Sequence, residues 1–259
     1  MTANARQSSS IHRLAGKVAV ITGGSSGIGY AVAKALVREG CSVVITGRKE
    51  EKLNAAAAEL SALTKDNAKV VGQVCDLREL YSVDAMFDMV QTRFGRVDIL
   101  FNNAGISQAP MSVEETSVAM WREMVDINLN GVFLCTRAAL PLMSRGGTIL
   151  NNLSAAAKQT FPKFAAYTAA KTGAYGFTLS LRDELMPRGI RVTALMPGAT
   201  STDLWEQIMP GTSREGMMDI NTIAEAVLYT VLLPPNANVS ELFITPTAGA
   251  IAADVNPKG

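Results

Sequence analysis

Short runs of β-branched residues alternate with longer amphipathic stretches along most of this chain. The runs lie at residues 17–22, 42–46, 69–74, 98–102, 147–153, 190–195 and 241–245. Candidate helices separate them, at residues 28–38, 50–63, 80–94, 117–143, 164–186 and 223–233. Apolar strands that each lead into a helix predict a parallel sheet covered on both faces. We therefore expect an α/β fold with a doubly wound parallel sheet of about seven strands, and ligands beyond the carboxyl ends of the strands.

The length and the charge of the chain narrow the possible classes of protein. The 259 residues fit one large domain, so we expect a flexible leader at residues 1–14 and a single Rossmann-like domain at residues 15–259. A net charge of +1 lacks the basic excess of nucleic-acid-binding proteins. No apolar run reaches the ~18 residues that span a bilayer. The amino-terminal segment also lacks the apolar stretch of a secretory signal.

Cysteine and histidine are too sparse to indicate a metal centre. Cys41, Cys75 and Cys135 lie far apart within apolar runs, which favours reduced core cysteines and a cytoplasmic location over a disulfide framework. His12 is the only histidine of the chain, so we expect no zinc site. Acid–base chemistry near neutral pH would need another side chain.

Tyr167 and Lys171 offer one alternative to imidazole. Residues four apart share a face of a helix, so both side chains can project into the same space. The pKa of a free tyrosine is about 10, and a neighbouring ammonium group would lower it toward the range useful for general acid–base catalysis. Ser154, upstream of the tyrosine, could hold a substrate oxygen beside the phenol. The alternative is an ordinary pair on the surface of a helix.

A glycine-rich turn lies between the first strand and the first helix. Three glycines there allow a sharp turn and close approach to a phosphate, and the helix amino terminus supplies N–H donors for that anion. The spacing is Gly-x-x-x-Gly-x-Gly, which differs from the commonest dinucleotide fingerprint. The candidate phosphate-binding residues are Gly23, Ser25, Ser26, Gly27, Ile28 and Gly29. A plain turn remains the alternative.

The end of the second strand bears on the choice of nucleotide. A carboxylate there would bind the ribose hydroxyls of NAD and repel a 2′-phosphate. The chain instead carries Arg48, whose guanidinium can bind two phosphate oxygens at once. These residues favour NADP(H) over NAD(H). The alternative is that Arg48 and Lys49 only begin a solvent-exposed helix. Glu50 and Glu51 would then partly neutralise their positive charges.

Taken in order, the motifs resemble the short-chain dehydrogenase/reductase family over roughly residues 15–205. The matching residues are Thr22 to Gly29, Asp76, Asn102, Asn103, Ala104, Gly105, Asn128, Ser154, Tyr167, Lys171, Pro197 and Gly198. The resemblance implies an oxidoreductase that transfers hydride between nicotinamide and a carbonyl or secondary alcohol. It further implies that the cofactor supplies the hydride and the protein supplies the proton.

The resemblance also implies a role for each catalytic residue. Tyr167 would pass the proton, and Lys171 would lower the phenol pKa and hold the nicotinamide ribose, so both would also contact the cofactor. Ser154 would polarise the carbonyl. Asn128 would position a water behind Lys171; the alternative is a local hydrogen bond within its helix.

Further residues would bind the cofactor if the resemblance holds. Asp76 would face the adenine amino group, or would otherwise only cap a helix. The remaining cofactor contacts would be the cleft wall at Asn103, Ala104 and Gly105 and the nicotinamide end at Ile28, Pro197, Gly198 and Thr202. The chain departs from the family pattern at Ser26, where NADP-dependent members often carry a basic residue. It departs again at residues 243–247, where a glycine-rich ending is usual.

The substrate is less well indicated than the cofactor. Residues 201–219 are predicted to form a lid over the cleft, with apolar side chains that fit a hydrophobic pocket or, alternatively, belong to the core. The candidate lid residues are Leu204, Trp205, Ile208, Met209, Met217 and Met218, with Gly211 and Gly216 as hinges. Other residues predicted to face the substrate are Asn152, Lys158, Phe161, Phe164 and Met196. No charged cluster is present, so we expect a small, neutral or apolar carbonyl or alcohol.

Three further expectations concern assembly and competing functions. The helices at residues 117–143 and 164–186 have broad apolar faces, which in this family build subunit interfaces, so we expect a homodimer or homotetramer. A catalytically silent NADP-binding sensor or scaffold is one alternative function. A methyltransferase on a related sheet is another. The complete set of four catalytic residues argues against the silent protein, and Arg48 argues against the methyltransferase.

Overall fold

A single parallel sheet forms the centre of the protein. The computed structural model describes residues 12–64 and 67–247. The strands are β1 (Val18–Ile21), β2 (Ser42–Gly47), β3 (Val70–Val74), β4 (Ile99–Asn102), β5 (Thr148–Asn152), β6 (Arg191–Pro197) and β7 (Glu241–Ile244). Their order in the sheet is β3-β2-β1-β4-β5-β6-β7, and every neighbouring pair is parallel. The predicted fold class is thereby confirmed.

Helices connect successive strands and cover both faces of the sheet. They are α1 (Gly27–Arg38), α2 (Glu50–Ser61), α3 (Leu80–Phe94), α4 (Val118–Val125), α5 (Gly131–Ala139), α6 (Ala165–Leu185), α7 (Leu204–Ile208) and α8 (Ile220–Leu232). None of the helices in the described part of the chain is long and apolar enough to cross a bilayer.

The central strand β1 shows why its sequence is an unbroken apolar run. Ala19 and Ile21 pack into a hydrophobic cluster with residues of α1, α2 and α8. Val20 points to the opposite face and packs into a second cluster with residues of α3, α5 and α6. Because successive side chains of a strand face opposite sides, a strand buried on both faces needs apolar residues at every position.

The structure corrects three details of the sequence prediction. The helix predicted at residues 117–143 is interrupted by a π-helical turn, Asp126–Asn130, between α4 and α5, and it closes in a 3₁₀ turn, Leu140–Leu142. Helix α7 lies in the predicted lid, where no helix was expected. Leu14 is buried in the core, so the predicted leader extends too far. The rest of that leader, residues 1–11, lies outside the described residues.

Candidate active site

One cleft of about 840 Å³ opens beyond the carboxyl ends of the strands. The chain runs from β1 outward to β2 and β3, and then crosses back to β4 on the other side of β1. This reversal sends the connections that follow β1 and β4 to opposite sides of the sheet, which creates the crevice where doubly wound sheets bind ligands. The cleft is lined by residues that follow six of the seven strands, β1 through β6.

The glycine turn forms one wall of the cleft. Gly23 and Gly27 have φ angles of +64° and +56°, in the left-handed region that favours glycine. A Cβ atom at Gly23 would lie 2.9 Å from Cα of Ala104, so the loops after β1 and β4 are in direct contact. Ser26 caps α1 in an extended conformation without a side-chain hydrogen bond to the helix. The first N–H groups of α1 therefore remain available for a phosphate, and this cradle fits a dinucleotide.

Gly29 has a different role from the other glycines of the turn, because it does not line the cleft. A Cβ atom at this position would lie 2.4 Å from the carbonyl oxygen of Gly23 and 2.4 Å from Nδ2 of Asn103. The missing side chain therefore allows α1 to pack directly onto the turn. Gly29 therefore has a packing role, and its contact with the cofactor stays a prediction.

We expect Gly29→Ala to lower the free energy of unfolding by about 2 kcal/mol or more, because the added methyl group overlaps the backbone of the turn. Chemical denaturation monitored by circular dichroism would measure the change. Gly176→Ala is the matched control, since a Cβ atom there meets nothing within 4 Å. That helical substitution should be neutral or stabilising, by up to about 1 kcal/mol. Equal destabilisation by both variants would contradict the packing role.

The end of the cleft beside the glycine turn is basic. Arg48, Lys49 and Lys52 all line it. Arg48 is exposed, and within the described residues it forms no ion pair and no hydrogen bond. Lys52 lies 3.9 Å from the Asp203 carboxylate, on the opposite wall. The unpaired guanidinium of Arg48 lies at the same end of the cleft as the glycine turn, so it suits a phosphate group in addition to the one that the turn would bind.

Asp76 lines the cleft as predicted, but Arg78 engages its carboxylate. Both Nε and Nη2 of Arg78 donate to it, with distances from 2.6 to 3.1 Å, and the Arg78 backbone N–H donates to Oδ1 at 3.0 Å. The hydrogen bond from Arg78 is the main cause that lowers the pKa of Asp76, and the charge of Arg48 contributes less. A contact with an adenine amino group would therefore require Arg78 to share this carboxylate.

Ser154, Tyr167 and Lys171 line the same cleft. Ser154 lies just after β5 and caps a short 3₁₀ turn, Ala155–Ala157, where its Oγ accepts a hydrogen bond from the Ala156 N–H at 3.1 Å. Tyr167 and Lys171 lie on the first turns of α6, and Nζ of Lys171 is 5.7 Å from the centre of the tyrosine ring. The structure thus brings a serine, a tyrosine and an amine together in one cleft.

Asn128 lies behind Lys171, in the π-helical turn. Its Nδ2 donates to the carbonyl oxygens of Ile106 and Met124, at 3.0 and 3.1 Å, and its Oδ1 accepts from the Ile106 N–H at 3.2 Å. A Cβ atom at Gly105 would meet both Asn128 Oδ1, at 2.7 Å, and Lys171 Nζ, at 3.3 Å. The amide of Asn128 therefore holds the loop after β4 against the helix, and its hydrogen bonds extend beyond its own helix.

The pKa of Tyr167 differs from the sequence expectation. Burial raises the pKa of the phenol, and the hydrogen bond with Ser154 only partly offsets this. Burial also lowers the pKa of Lys171 from 10.5 to about 8, because the low-dielectric interior disfavours its charge. The predicted lowering of the phenol pKa by the lysine is therefore wrong for the protein alone. The Lys171 ammonium instead donates to the backbone oxygen of Asn152 at 3.0 Å.

The lowered pKa of Lys171 predicts a pH-dependent stability. Folding penalises the protonated amine below about pH 8, and this penalty disappears as the pH rises from about 8 to 10.5. We expect Lys171→Met to gain at most about 3 kcal/mol of stability relative to the wild type near pH 7. The difference between the two melting temperatures should shrink steadily up to pH 10. Calorimetry across this range would measure it, and a constant difference would contradict the assignment.

Part of the cleft lining is apolar. Of the residues predicted to face the substrate, Phe161, Phe164, Leu204, Trp205, Ile208 and Asn152 line the cleft. Other predicted residues do not line the cleft: Met196, Met209, Met217 and Met218. Met196 is buried beneath the sheet surface, and Met218 packs against the core. Lys158 is also absent from the lining because it pairs with Glu241.

Sequence reasoning missed Lys52, Asp203 and Gln207, which also line the cleft. Lys52 lies in the first turn of α2, close to the predicted basic pair Arg48 and Lys49. A third cation so near this pair is a sequence signal for a basic end of the cleft. Asp203 is the N-cap of the unpredicted helix α7, and Gln207 lies within that helix. Their four-residue spacing would have placed them on one face, had the lid been treated as helical.

Known proteins resemble this chain along most of its length. A family model described as short chain dehydrogenase matches residues 17–212. An uncharacterized oxidoreductase of Staphylococcus epidermidis is 36% identical over 232 residues, covering 89% of this chain and 97% of that protein. Sulfoacetaldehyde reductase 2 of Chromohalobacter salexigens is 33% identical, covering 91% and 96%. The solved alcohol dehydrogenase of Thermococcus sibiricus, complexed with 5-hydroxy-NADP, is 32% identical with a TM-score of 0.82, covering 90% and 97%.

Proposed function

Because the chain belongs to the short-chain dehydrogenase family, we propose that it is an NADP(H)-dependent reductase or dehydrogenase that interconverts a carbonyl group and a secondary alcohol. Membership makes it an oxidoreductase that uses a nicotinamide cofactor and acts on a small molecule. The observation that carries the finer proposal is the convergence of Ser154, Tyr167 and Lys171 in the cleft that also contains Arg48.

The proposed cofactor-binding residues fit a dinucleotide along the whole cleft. The amino terminus of α1, with Ser25, Ser26 and Ile28, would hold the pyrophosphate. Further contacts would come from Asn103, Ala104, Gly105, Pro197, Gly198 and Thr202, all of which line the cleft. When bound, the nicotinamide ring supplies the hydride. Its ribose hydroxyls would lie within reach of Tyr167 and Lys171.

In the proposed mechanism Tyr167 acts as the acid for carbonyl reduction. Its burial keeps the phenol protonated, so it can donate a proton to the carbonyl oxygen as negative charge develops there. Ser154 donates a second hydrogen bond to the same oxygen. A charged Lys171 stabilises the phenolate that remains, and its pKa of about 8 allows it to exchange a proton near neutral pH.

The proposed role of Asn128 is to position these groups. Both N–H groups of its amide donate to backbone oxygens of Ile106 and Met124, and its oxygen accepts from the Ile106 N–H, so the side chain fixes the loop beside Lys171. A water of a proton relay would bind the second lone pair of the Asn128 oxygen or a backbone group of the π-helical turn. Such turns leave backbone groups without their usual helical partners.

The substrate end of the cleft favours a neutral or apolar carbonyl compound. Phe161, Phe164 and Trp205 provide aromatic surface there. Within the described residues, the cationic side chains that line the cleft are Lys171 and the basic group Arg48, Lys49 and Lys52 near the glycine turn. A sulfonated substrate, such as the name of the Chromohalobacter relative indicates for that enzyme, would find no cation at the aromatic end besides Lys171.

We also propose a homodimer or homotetramer in the cytoplasm. Phe133 of α5 is 47% exposed and stacks edge-to-face on Phe177 of α6, with ring centres 6.1 Å apart. Exposed aromatic surface on two adjacent helices suits a contact between subunits. Sedimentation velocity would test this assembly.

A substrate screen tests the proposed function. NADPH oxidation should be measured against a panel of ketones, aldehydes, quinones and acyl thioesters, with sulfonated aldehydes as the charged comparison. We expect turnover of a neutral or apolar carbonyl compound. Tight NADPH binding with no turnover of any compound would instead favour the silent sensor or scaffold.

A further inference from the structure

Two asparagines at the ends of β4 and β5 connect the cofactor turn to the catalytic lysine. Asn103 follows β4, and both hydrogens of its amide are used: Nδ2 donates to the carbonyl oxygens of Thr22 and Gly23, at 3.0 and 3.1 Å. Its backbone N–H donates to Oγ1 of Thr22 at 2.9 Å. Asn103 therefore fixes the orientation of the peptide groups that begin the glycine turn.

The side-chain oxygen of Asn103 has one donor, which is Asn152. Nδ2 of Asn152, the last residue of β5, donates to Oδ1 of Asn103 at 2.9 Å. Because the NH₂ group of Asn103 must face the turn, its oxygen faces Asn152. The donor at position 152 thus reinforces the orientation that the two carbonyls of the turn impose on the Asn103 amide.

The Asn152 side chain has no other polar contact in the described part of the protein. Its Oδ1 is buried without a hydrogen-bond partner, which costs free energy that an apolar residue would not incur. The backbone oxygen of Asn152 meanwhile accepts the hydrogen bond from Lys171 Nζ at 3.0 Å. One residue therefore contacts the lysine through its backbone and the cofactor turn through its side chain.

We propose that Asn152 is a positioning residue for the cofactor, acting through Asn103 to hold the glycine turn in register with Lys171. This inference rests on the proposed function, since it assigns the nicotinamide dinucleotide to this cleft. It gives Asn152 a role beyond the predicted contact with the substrate. A residue acting in this way should affect cofactor affinity more than the chemical step.

NADPH binding to the purified protein tests the proposal without any turnover. Quenching of Trp205 fluorescence, a tryptophan of the cleft wall, would report the dissociation constant. We expect Asn152→Ala to raise the Kd of NADPH about tenfold. The isosteric Asn152→Asp variant removes the hydrogen-bond donor without creating a cavity, so it should weaken NADPH binding at least as much. This variant replaces Asn152→Ala in the experiment if the alanine variant does not fold.

A double-mutant cycle separates this role from a general loss of structure. In an Asn103→Ala background, Asn152→Ala should change the Kd less than twofold, because its target is already absent. Asn151→Ala is the matched control: this asparagine of the same strand is fully buried and contacts Asn102 and Thr178 on the opposite face. It should lower the melting temperature and leave the Kd unchanged.

The outcomes distinguish this inference from the proposed function. A wild-type protein that does not bind NADPH would refute the proposed function and, with it, this inference. Wild-type binding combined with an unchanged Kd in both Asn152 variants would overturn the role of Asn152 alone. An equal loss of affinity in the Asn151 control, or in both backgrounds of the cycle, would do the same.

Discussion

Tyr167→Phe should lower kcat for carbonyl reduction by about a thousandfold while leaving the Kd of NADPH within about twofold of the wild type. The substitution removes only the hydroxyl, so the half-buried ring keeps its position on α6. Within the described residues, Lys171 is the nearest remaining proton donor, but its Nζ is held on the backbone oxygen of Asn152, so we expect it to replace the phenol poorly at the substrate oxygen. Steady-state kinetics and fluorescence titration would measure the two quantities separately.

Tyr175→Phe is the matched control for this experiment. Tyr175 lies two turns further along the same helix and donates its hydroxyl hydrogen bond to Glu241 at 2.6 Å, away from the cleft lining. Losing this hydroxyl should lower stability slightly and leave kcat within about threefold of the wild type. A Tyr167→Phe variant that retains full activity would refute the assignment of the proton donor.

Arg48→Asp should reverse the cofactor preference. The substitution removes the exposed guanidinium at the end of β2 and introduces a carboxylate, which repels a 2′-phosphate and can accept hydrogen bonds from ribose hydroxyls. Charge-assisted hydrogen bonds to a phosphate are strong, so we expect the Kd of NADPH to rise about a hundredfold. The Kd of NADH should stay constant or fall. Titrations with both nucleotides on the wild type and the variant measure the switch.

Arg38→Asp provides the same change of charge at an exposed position in the last turn of α1. It should alter both dissociation constants equally and only slightly, because it changes the overall field of the protein without touching the cleft. If Arg48→Asp leaves the ratio of NADPH to NADH affinity unchanged, the phosphate is held elsewhere. Lys49 and Lys52 line the same end of the cleft and would be the next residues to replace.

Much of the candidate site could be predicted because its signals are local. The four-residue spacing of Tyr167 and Lys171 places both side chains on one face once the segment is helical. The glycines of the turn indicate backbone conformations that other residues adopt poorly. Arg48 was identifiable because it directly follows a strand whose end faces the ligand. The resemblance to a known family then assigned roles that spacing alone could not.

Other features were not predictable because they depend on contacts between distant segments. Gly29 belongs to the same motif as its neighbours, yet only the packing of α1 against Asn103 reveals its steric constraint. The π-helical turn leaves no periodicity signal that distinguishes it from ordinary helix. The pKa of Tyr167 was predicted in the wrong direction because the cost of burial depends on the surrounding protein, which the Tyr–Lys spacing does not reveal.

The sequence by itself determined the order of strands and helices along the chain, the place of the glycine turn and the candidate catalytic side chains, since each follows from residues close together in the chain. Only the tertiary structure decided how these parts are held in register. Asn103 and Asn152 are 49 residues apart, and they meet because β4 and β5 are neighbours in the sheet. Their hydrogen bond exists only after that pairing forms, because no local spacing encodes the distance between two strand ends.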